Sequence, residues 1–200
     1  MGQLLRQYQI PLIIASIAIL LAAFNQQLHE VLSYQRSLIS DGELWRLVTG
    51  NFLHSNWPHL LLNIGGLFLI WFVYNDLGDP LWQWIFLLTP LLGCTLLLFA
   101  FSPDLEGYVG LSGGLHGTIV AFGLADFRKN KLLSVLLVIG VTMKLGYEQV
   151  YGSSESIKEL IQSNVAIDAH LWGAICGFAV GIIYLFYTNQ NRSEEFANRD

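Results

Sequence analysis

The chain has 200 residues, of which 54% are hydrophobic and 12% charged, and its formal net charge is −5. An ordinary soluble domain carries about 25% charged residues, so this composition excludes one. It predicts instead a polytopic, all-α membrane protein with a single domain over residues 1–200. No basic stretch is long enough to suggest that the chain binds nucleic acid. The long apolar segments make the lipid bilayer the expected surrounding. Cys94 and Cys176 lie inside apolar runs, so we expect neither a disulfide nor a metal site. No cofactor is expected.

Six apolar segments of helical length follow one another along the chain, and each is predicted to be a membrane helix. Their approximate bounds are 8–28, 58–74, 80–101, 111–127, 132–151 and 168–187. Segment 29–57 carries charges and aromatic residues without a clean apolar run, so short interfacial helices are expected there. Asp79 and Pro80 form a cap-and-start pair for the third helix. The core of the domain is therefore about 8–188, and the polar tail 189–200 is expected to be frayed.

Lysine and arginine residues predict the orientation, because the cytoplasmic side of a membrane protein carries the excess of them. With the N-terminus inside, six lie on the inner side: Arg6, Arg128, Lys129, Lys131, Arg192 and Arg199. Three lie on the outer side: Arg36, Arg46 and Lys158. This asymmetry predicts that both termini are cytoplasmic.

In this orientation, five polar side chains that are unusual for membrane helices fall in the outer half of the bilayer. They lie in the first turns of the second, fourth and sixth helices: His59, Asn63, Ser112, His116 and His170. Polar side chains inside a membrane are costly and face the bundle interior or a water-filled cavity. Five at one level predict a hydrated pocket that opens to the outer side.

Ser112 is the predicted nucleophile. It lies between Gly110 and Gly113 at the start of the fourth helix, where free backbone N–H groups and the helix dipole favour negative charge. Membrane packing alone does not require a serine and a histidine at this place.

His170 is the predicted general base, because glycines allow its helix to approach the serine closely. Gly173 and Gly177 share its helix face, and Gly113 and Gly117 flank the serine in the same way. Small residues at this spacing bring membrane helices together, as a Ser–His hydrogen bond of roughly 2.6–3.2 Å between two helices requires. The alternative is that the glycines serve packing alone and the histidine bonds a nearby carbonyl.

His59 and Asn63 lie four residues apart on one helix face. Together with the Ser112 backbone N–H, they are predicted to stabilise an oxyanion; the alternative is a polar pair that joins two helices. His116 lies one turn after Ser112 and is a rival base, but a base from another helix reaches the serine more easily. Its preferred role is that of a supporting ring packed against His170.

Charged residues elsewhere have structural interpretations. Asp168 points away from the predicted base and is interpreted as a helix N-cap. Arg46 is expected to be held by loop carbonyls or by Glu43. Lys144 and Glu148, four apart on the fifth helix, are expected to neutralise one another, with a substrate-facing role as the alternative.

The order and spacing of these residues resemble the rhomboid intramembrane serine proteases. The resemblance rests on Trp45-Arg46, on His54, His59 and Asn63, on Gly-Leu-Ser-Gly at 110–113, and on Ala169-His170 followed by Gly173 and Gly177. It covers the whole predicted core and implies a six-helix rhomboid-like bundle. It implies Ser112 as nucleophile and His170 as base, in a dyad without an acid. By the same resemblance, His59 and Asn63 are the oxyanion donors.

One departure from the family pattern narrows the resemblance. Many bacterial rhomboids have a tyrosine four residues after the serine, where this chain has His116. The run Gly-Leu-Ser-Gly-Gly-Leu-His-Gly at 110–117, in so short a chain, is similar to the rhombosortase branch. That branch is associated with cleavage of exported proteins near a C-terminal Gly-Gly sorting tail (GlyGly-CTERM). The resemblance therefore implies a bacterial inner-membrane enzyme that opens to the periplasm and whose protein partner is a substrate with a C-terminal transmembrane tail.

Other functions remain as alternatives at this point. One is a general rhomboid protease of single-pass membrane proteins, and another is a non-catalytic, client-binding member of the family, against which the presence of both Ser112 and His170 argues. A small-solute transporter would show inverted repeats, and the sequence has no internal repeat. In the expected reaction a substrate helix passes the fifth helix and the outer segment 153–164. Water or another amine then resolves the acyl-enzyme.

Overall fold

The computed structural model describes residues 7–74 and 79–197, which form helices and one two-stranded ladder. In chain order the elements are α1 (Gln9–Ala23), α2 (Asn25–Leu32), β1 (Tyr34–Gln35), α3 (Arg36–Ser40), α4 (Arg46–Thr49), a 3₁₀ turn (Gly50–Phe52), α5 (Trp57–Tyr74), α6 (Pro80–Phe101), β2 (Gly107–Tyr108), α7 (Ser112–Asp126), α8 (Lys131–Tyr151), α9 (Glu155–Ile161) and α10 (Ile167–Ala197). The predicted fold class, a helical membrane bundle, is confirmed. The Asp79 side chain accepts a hydrogen bond from the Leu81 N–H at 2.9 Å, as expected of the cap of α6.

The number of membrane spans differs from the six predicted. Among the described residues, four helices are long and apolar enough to cross a membrane: α5, α6, α8 and the part of α10 at Ile167–Gln190. The other two predicted spans, α1 and α7, have 15 residues each. At ~1.5 Å per residue, such a helix is roughly 22 Å long, shorter than the ~30 Å hydrocarbon core. α1 stops at Ala23 because Phe24 leaves the helical conformation, with φ −115° and ψ 22°.

α7 is the central helix and packs against α5, α6, α8 and α10. Because protein rather than lipid encloses it, its length need not match the thickness of the bilayer. The Phe122 ring holds the C-terminal half of α7 in place, because the rings of Trp71 and Phe86 each lie 5.2 Å from it in edge-to-face contact. A short helix at the centre is thus held by tertiary packing, which the length of an apolar run does not predict.

α7 and α10 meet along four glycines, which we call the glycine seam: Gly113, Gly117, Gly173 and Gly177. A Cβ atom added to Gly173 would lie 1.9 Å from the Gly113 carbonyl oxygen, and one added to Gly177 would lie 1.9 Å from the Gly117 carbonyl oxygen. Since these neighbours are backbone atoms, no side-chain movement relieves such a contact. The two backbones approach this closely only because these positions lack side chains.

The short helices α2 to α4 form an outer layer that two arginines fix to the rest of the chain. Arg36 donates to three carbonyl oxygens at the C-terminal end of α6, at 2.6–3.3 Å, where positive charge is favourable. Arg46 donates to the Glu43 carboxylate at 2.6 Å and to the Ser33 carbonyl oxygen at 2.8 Å. Both interactions expected for Arg46 are therefore present.

The C-terminal helix is longer than predicted. α10 continues to Ala197, so the expected fraying of the tail is wrong up to that residue; positions 188–197 contain no proline or glycine to end a helix. Arg6 and Arg199, which entered the charge count for the orientation, lie outside the described residues, as does the side chain of Arg192. The orientation stays a prediction.

Candidate active site

Ser112 and His170 meet across the glycine seam. His170 Nε2 lies 3.0 Å from Ser112 Oγ, which is hydrogen-bond distance. Ser112 is the half-buried first residue of α7, and His170 lies buried in the first turn of α10. The structure therefore brings the predicted nucleophile and base together from two helices, at a separation that allows proton transfer.

A carboxylate contacts the other side of the base, where the resemblance implied no acid. Glu148 Oε2, near the C-terminal end of α8, lies 2.9 Å from His170 Nδ1. Glu148 Oε1 lies 2.7 Å from Lys144 Nζ, so the expected ion pair is also present. The contact with His170 was missed because the Lys144–Glu148 spacing already gives each charge a partner within one helix. The available signal was that a carboxylate has two oxygens and the lysine needs only one.

The His116 ring stacks on the His170 ring. Their centroids lie 4.1 Å apart with 23° between the planes. His116 Nδ1 lies 2.7 Å from the Ser112 carbonyl oxygen, and no hydrogen bond within the described residues joins His116 to the Ser112 hydroxyl. The structure thus places His116 as a ring against the base rather than as a rival base.

Gly110 leaves space for two side-chain nitrogens beside the serine. Its φ is +121°, and a Cβ atom added there would lie 2.8 Å from His59 Nε2 and 3.5 Å from Asn63 Nδ2. In the described part of the chain Asn63 Nδ2, although buried, has no hydrogen-bond partner. A buried donor without a partner is costly, so this amide is available to an acceptor that enters the space.

The His59 ring is held at its Nδ1 atom. Ser55 Oγ lies 3.1 Å from Nδ1, and the Ser55 nitrogen lies 3.5 Å from it. The other ring nitrogen, Nε2, faces Gly110. His59 and Asn63 thus bring two side-chain nitrogens to one place beside the serine, where the sequence predicts an oxyanion site.

Tyr108, which the sequence did not single out, holds the loop that leads to the serine. It pairs with Tyr34 in the β1–β2 ladder. Its hydroxyl donates to the Gly110 carbonyl oxygen and accepts from the Gly113 N–H, the latter at 3.4 Å. Burial raises the pKa of Tyr108 well above its ordinary value, so the hydroxyl keeps its proton and remains a donor.

An open cavity of about 360 Å³ leads to Ser112. Its walls include residues of the ladder, of α5 and of the chain after α9: Tyr34, Tyr108, His59, Ser163 and Asn164. Ser55 Oγ donates to the Ile161 carbonyl oxygen at 2.6 Å, and Asn56 Nδ2 donates to the Leu160 carbonyl oxygen at 3.0 Å. α9 is therefore tied to the loop before α5 at one side of the cavity.

His54 and Glu106, both outside the spans, have lowered pKa values. Burial, assisted by the neighbouring His59 ring, lowers the pKa of His54 to about 3, so this ring is neutral at pH 7. Hydrogen bonds from Ser37 lower the pKa of the exposed Glu106 carboxyl. The loop beneath the cavity therefore presents an uncharged histidine next to His59.

Asp168 is not the N-cap that the sequence predicted. α10 begins one residue earlier, at Ile167, and Asp168 Oδ2 accepts a hydrogen bond from Ser102 Oγ at 2.7 Å. Ser102 follows the last residue of α6, so this contact joins α6 to α10.

His116, Glu148 and His170 are the described residues that offer a set of metal ligands, with one ligand atom each within 4.8 Å of one another. A metal ion lies in the plane of each histidine ring that binds it. The two rings are stacked and nearly parallel, so their nitrogens do not point to a common position. The arrangement suits a hydrogen-bonded stack better than a metal centre.

Cys94 is buried, Cys176 is half-buried, and both are free.

Comparisons with known proteins give related sequences along most of the chain. A family model described as "Rhomboid domain" matches residues 41–187. The chain is 25% identical over 186 residues to "Putative rhomboid protease YdcA" of Bacillus subtilis (strain 168), covering 86% of this chain and 85% of that protein. It is 24% identical over 148 residues to "Putative rhomboid protein L523" of Acanthamoeba polyphaga mimivirus, covering 72% and 78%. It is 23% identical over 160 residues to "RHOMBOID-like protein 5" of Arabidopsis thaliana, covering 76% and 47%. No solved structure matches the chain significantly.

Proposed function

The chain belongs to the rhomboid family, and from this premise we propose that it is a serine endopeptidase that cleaves membrane-anchored proteins within the bilayer. Its apolar helices make it a multi-pass membrane protein, and a relative named as a rhomboid protease supports intramembrane proteolysis. The observation that carries the proposal is the 3.0 Å separation of His170 Nε2 and Ser112 Oγ at an open cavity.

The reaction starts when Ser112 Oγ attacks the scissile carbonyl carbon while its proton passes to His170 Nε2. The electron pair of the C=O bond moves to the oxygen, and donors beside Gly110 stabilise the oxyanion: His59, Asn63 and the Ser112 N–H. The C–N bond then breaks, and His170 gives its proton to the leaving amine.

A second attack releases the acyl group. Water gives a proton to His170 and attacks the acyl-enzyme, and the C–Oγ bond breaks as Ser112 recovers its proton. An amine in place of water would join the acyl group to a new partner, which makes the reaction a transfer.

We place the enzyme in a bacterial inner membrane with both termini cytoplasmic and the cavity on the periplasmic side. Three basic residues, Arg128, Lys129 and Lys131, cluster at the short turn between α7 and α8 and support a cytoplasmic location of that turn. Ser112 begins α7 at the opposite end. A substrate helix then reaches the cavity past α8, the least buried of the four spans.

The narrower proposal is a rhombosortase that cuts near a C-terminal Gly-Gly tail. Its support is the run Gly-Leu-Ser-Gly-Gly-Leu-His-Gly at 110–117. Cleavage there would free an exported protein from its C-terminal membrane anchor.

The test compares released and cell-bound proteins in cells that carry the wild type or the Ser112→Ala variant, with new C-termini mapped by mass spectrometry. The proposal expects anchored substrates to be released only with the wild type. Ends near Gly-Gly would support the rhombosortase assignment, and ends within ordinary single-pass anchors would support a general rhomboid protease. Identical C-termini in both strains, with both proteins present in the membrane, would contradict proteolysis and leave client binding.

A further inference from the structure

We propose that Glu148 is a positioning residue of the catalytic centre and completes a Glu148–His170–Ser112 triad. The inference rests on the proposed function, because it assigns a role within the same reaction. It departs from a base that acts without an acid.

The first argument is the continuity of the contacts. Ser112 Oγ lies 3.0 Å from His170 Nε2, and Glu148 Oε2 lies 2.9 Å from His170 Nδ1. Both nitrogens of one imidazole are therefore engaged, one by the nucleophile and the other by a carboxylate. This is the constellation in which a buried acid orients a histidine base.

The second argument concerns the position of the ring proton. A neutral imidazole carries one proton, and an ionised carboxylate only accepts hydrogen bonds. Glu148 therefore holds that proton on Nδ1 of His170. Nε2 then has the free lone pair that must receive the proton from Ser112.

The third argument is that Lys144 does not use the whole carboxylate. Lys144 Nζ contacts Oε1 at 2.7 Å, and its side chain is 46% exposed, whereas that of Glu148 is 10% exposed. The lysine thus reaches outward and the glutamate reaches inward. A pair that served only to neutralise charge in the membrane would not require the second oxygen to meet the base.

The fourth argument is that the ring is held from a second direction. The His116 ring covers one face of His170 at 4.1 Å, while Glu148 fixes its edge. Together they leave Nε2 directed at the serine. When His170 becomes positively charged during the reaction, the adjacent carboxylate stabilises that charge.

The test measures the rate at which a fluorophosphonate labels Ser112 in purified protein in detergent micelles. In Glu148→Gln the amide can donate to Nδ1, which moves the ring proton to Nε2 and removes the base. We expect labelling to fall by roughly 10²–10⁴-fold, the usual contribution of general-base assistance. Glu148→Asp keeps the carboxylate and should restore a substantial part of the rate.

Glu155→Gln is the matched control. Glu155 pairs with Lys158 at 2.7 Å in α9, the same type of ion pair, but its side chain is 80% exposed. Its loss should change labelling by less than about twofold. Thermal unfolding of each variant shows whether a rate change comes from lost fold.

Two further measurements separate positioning from a merely structural role. In a His170→Ala background, Glu148→Gln should cause no further loss of labelling rate, because the effects of residues that act as a unit are non-additive.

Nitrogen-15 NMR of labelled histidine in the wild type should place the His170 proton on Nδ1. This measurement does not depend on the folding of any variant. Unchanged labelling in folded Glu148→Gln, or the proton on Nε2, would overturn the inference while the protease stands. Absence of Ser112 labelling in the wild type would instead contradict the proposed function.

Discussion

α10 and α8 both supply a residue to the site, but the protein holds them in different ways. α10 carries His170 and lies against α7 along the glycine seam, where an added Cβ atom would fall about 2 Å from backbone. α8 carries Glu148, and only 17% of its most apolar stretch is buried, against 39% for that of α10. Among the described residues, no atom lies within 4 Å of a Cβ added to its glycines Gly140 and Gly146.

The difference separates two requirements of the chemistry. The distance between nucleophile and base is set by backbone contact, which tolerates almost no adjustment. The contact between Glu148 and His170 depends on the few buried side chains of α8. One of them is Leu145, which packs in a cluster with Val120 and Ala174. The candidate site therefore combines a Ser–His pair fixed by backbone contact with a glutamate on the least buried of the four spans.

The largest effect is expected for Gly173→Ala in the seam. The new methyl group would displace the Gly113 carbonyl and separate α7 from α10, so both folded protein and labelling should be lost. The destabilisation should reach or exceed the ~1–3 kcal/mol typical of an overpacked core. Thermal unfolding in micelles measures it.

Gly140→Ala on α8 is the control for that variant. Its methyl group meets open space, and replacing a helical glycine by alanine is favourable by roughly 0.5–1 kcal/mol. Equal unfolding temperatures for the two variants would break the comparison between seam and periphery.

A smaller loss of stability, together with a loss of activity, is expected for Gly110→Ala, because its φ of +121° strains an alanine. The methyl group would lie 2.8 Å from His59 Nε2 and fill the space for the oxyanion. Labelling should fall by roughly 10²–10³-fold, the cost of a lost oxyanion donor.

Gly42→Ala separates site filling from backbone strain. Gly42 also has a positive φ, +106°, but no atom of the described part of the chain lies within 4 Å of its added Cβ. This variant should lose only the ~1–2 kcal/mol of left-handed strain and keep its labelling rate. If both variants label equally fast, the space beside Gly110 is not the oxyanion site.

The smallest effect is a pH dependence of the free energy of unfolding that comes from His54. This buried residue lies in the loop before α5. Its folded-state pKa of about 3 lies below the ~6.5 of an unfolded chain. Between these pH values the unfolded chain binds more protons, so stability falls as pH decreases. His54→Gln removes this contribution, which is at most ~1.4 kcal/mol per pH unit.

Unfolding temperatures of wild type and His54→Gln at pH 7 and pH 4.5 check the prediction. The wild type should lose more stability on acidification than the variant does. Equal losses would mean that the ring is not held neutral by burial.

The sequence predicted the Ser112–His170 contact because both residues lie on glycine-lined faces of strongly apolar helices. Helical spacing alone then determines which side chains face the partner helix. The contact of Glu148 with His170 was missed, because the sequence already pairs Glu148 with Lys144 and because the rotation of α8 about its axis, which brings the second oxygen to His170, is fixed by only a few buried residues. The role of Tyr108 was missed for a similar reason, since a two-residue ladder leaves almost no pattern.

The bounds of the helices show a related limit. Apolar runs predicted α5, α6 and α8 to within about one residue, but they did not predict that Phe24 would end α1. The predicted bounds of α7, 111–127, were also correct to within one residue at each end; its neighbours in the bundle allow so short a helix, because they bury it. The start of α10 at Ile167 rather than after Asp168 changed the role of Asp168 through a shift of one or two residues.

The most direct test of the central claim is covalent labelling of the wild type, Ser112→Ala and His170→Ala by a fluorophosphonate, with the modified peptide identified by mass spectrometry. We expect an adduct on Ser112 in the wild type, none in Ser112→Ala, and labelling slower by at least roughly 10²-fold in folded His170→Ala. An adduct on another residue, or equal labelling of Ser112 without His170, would contradict the account.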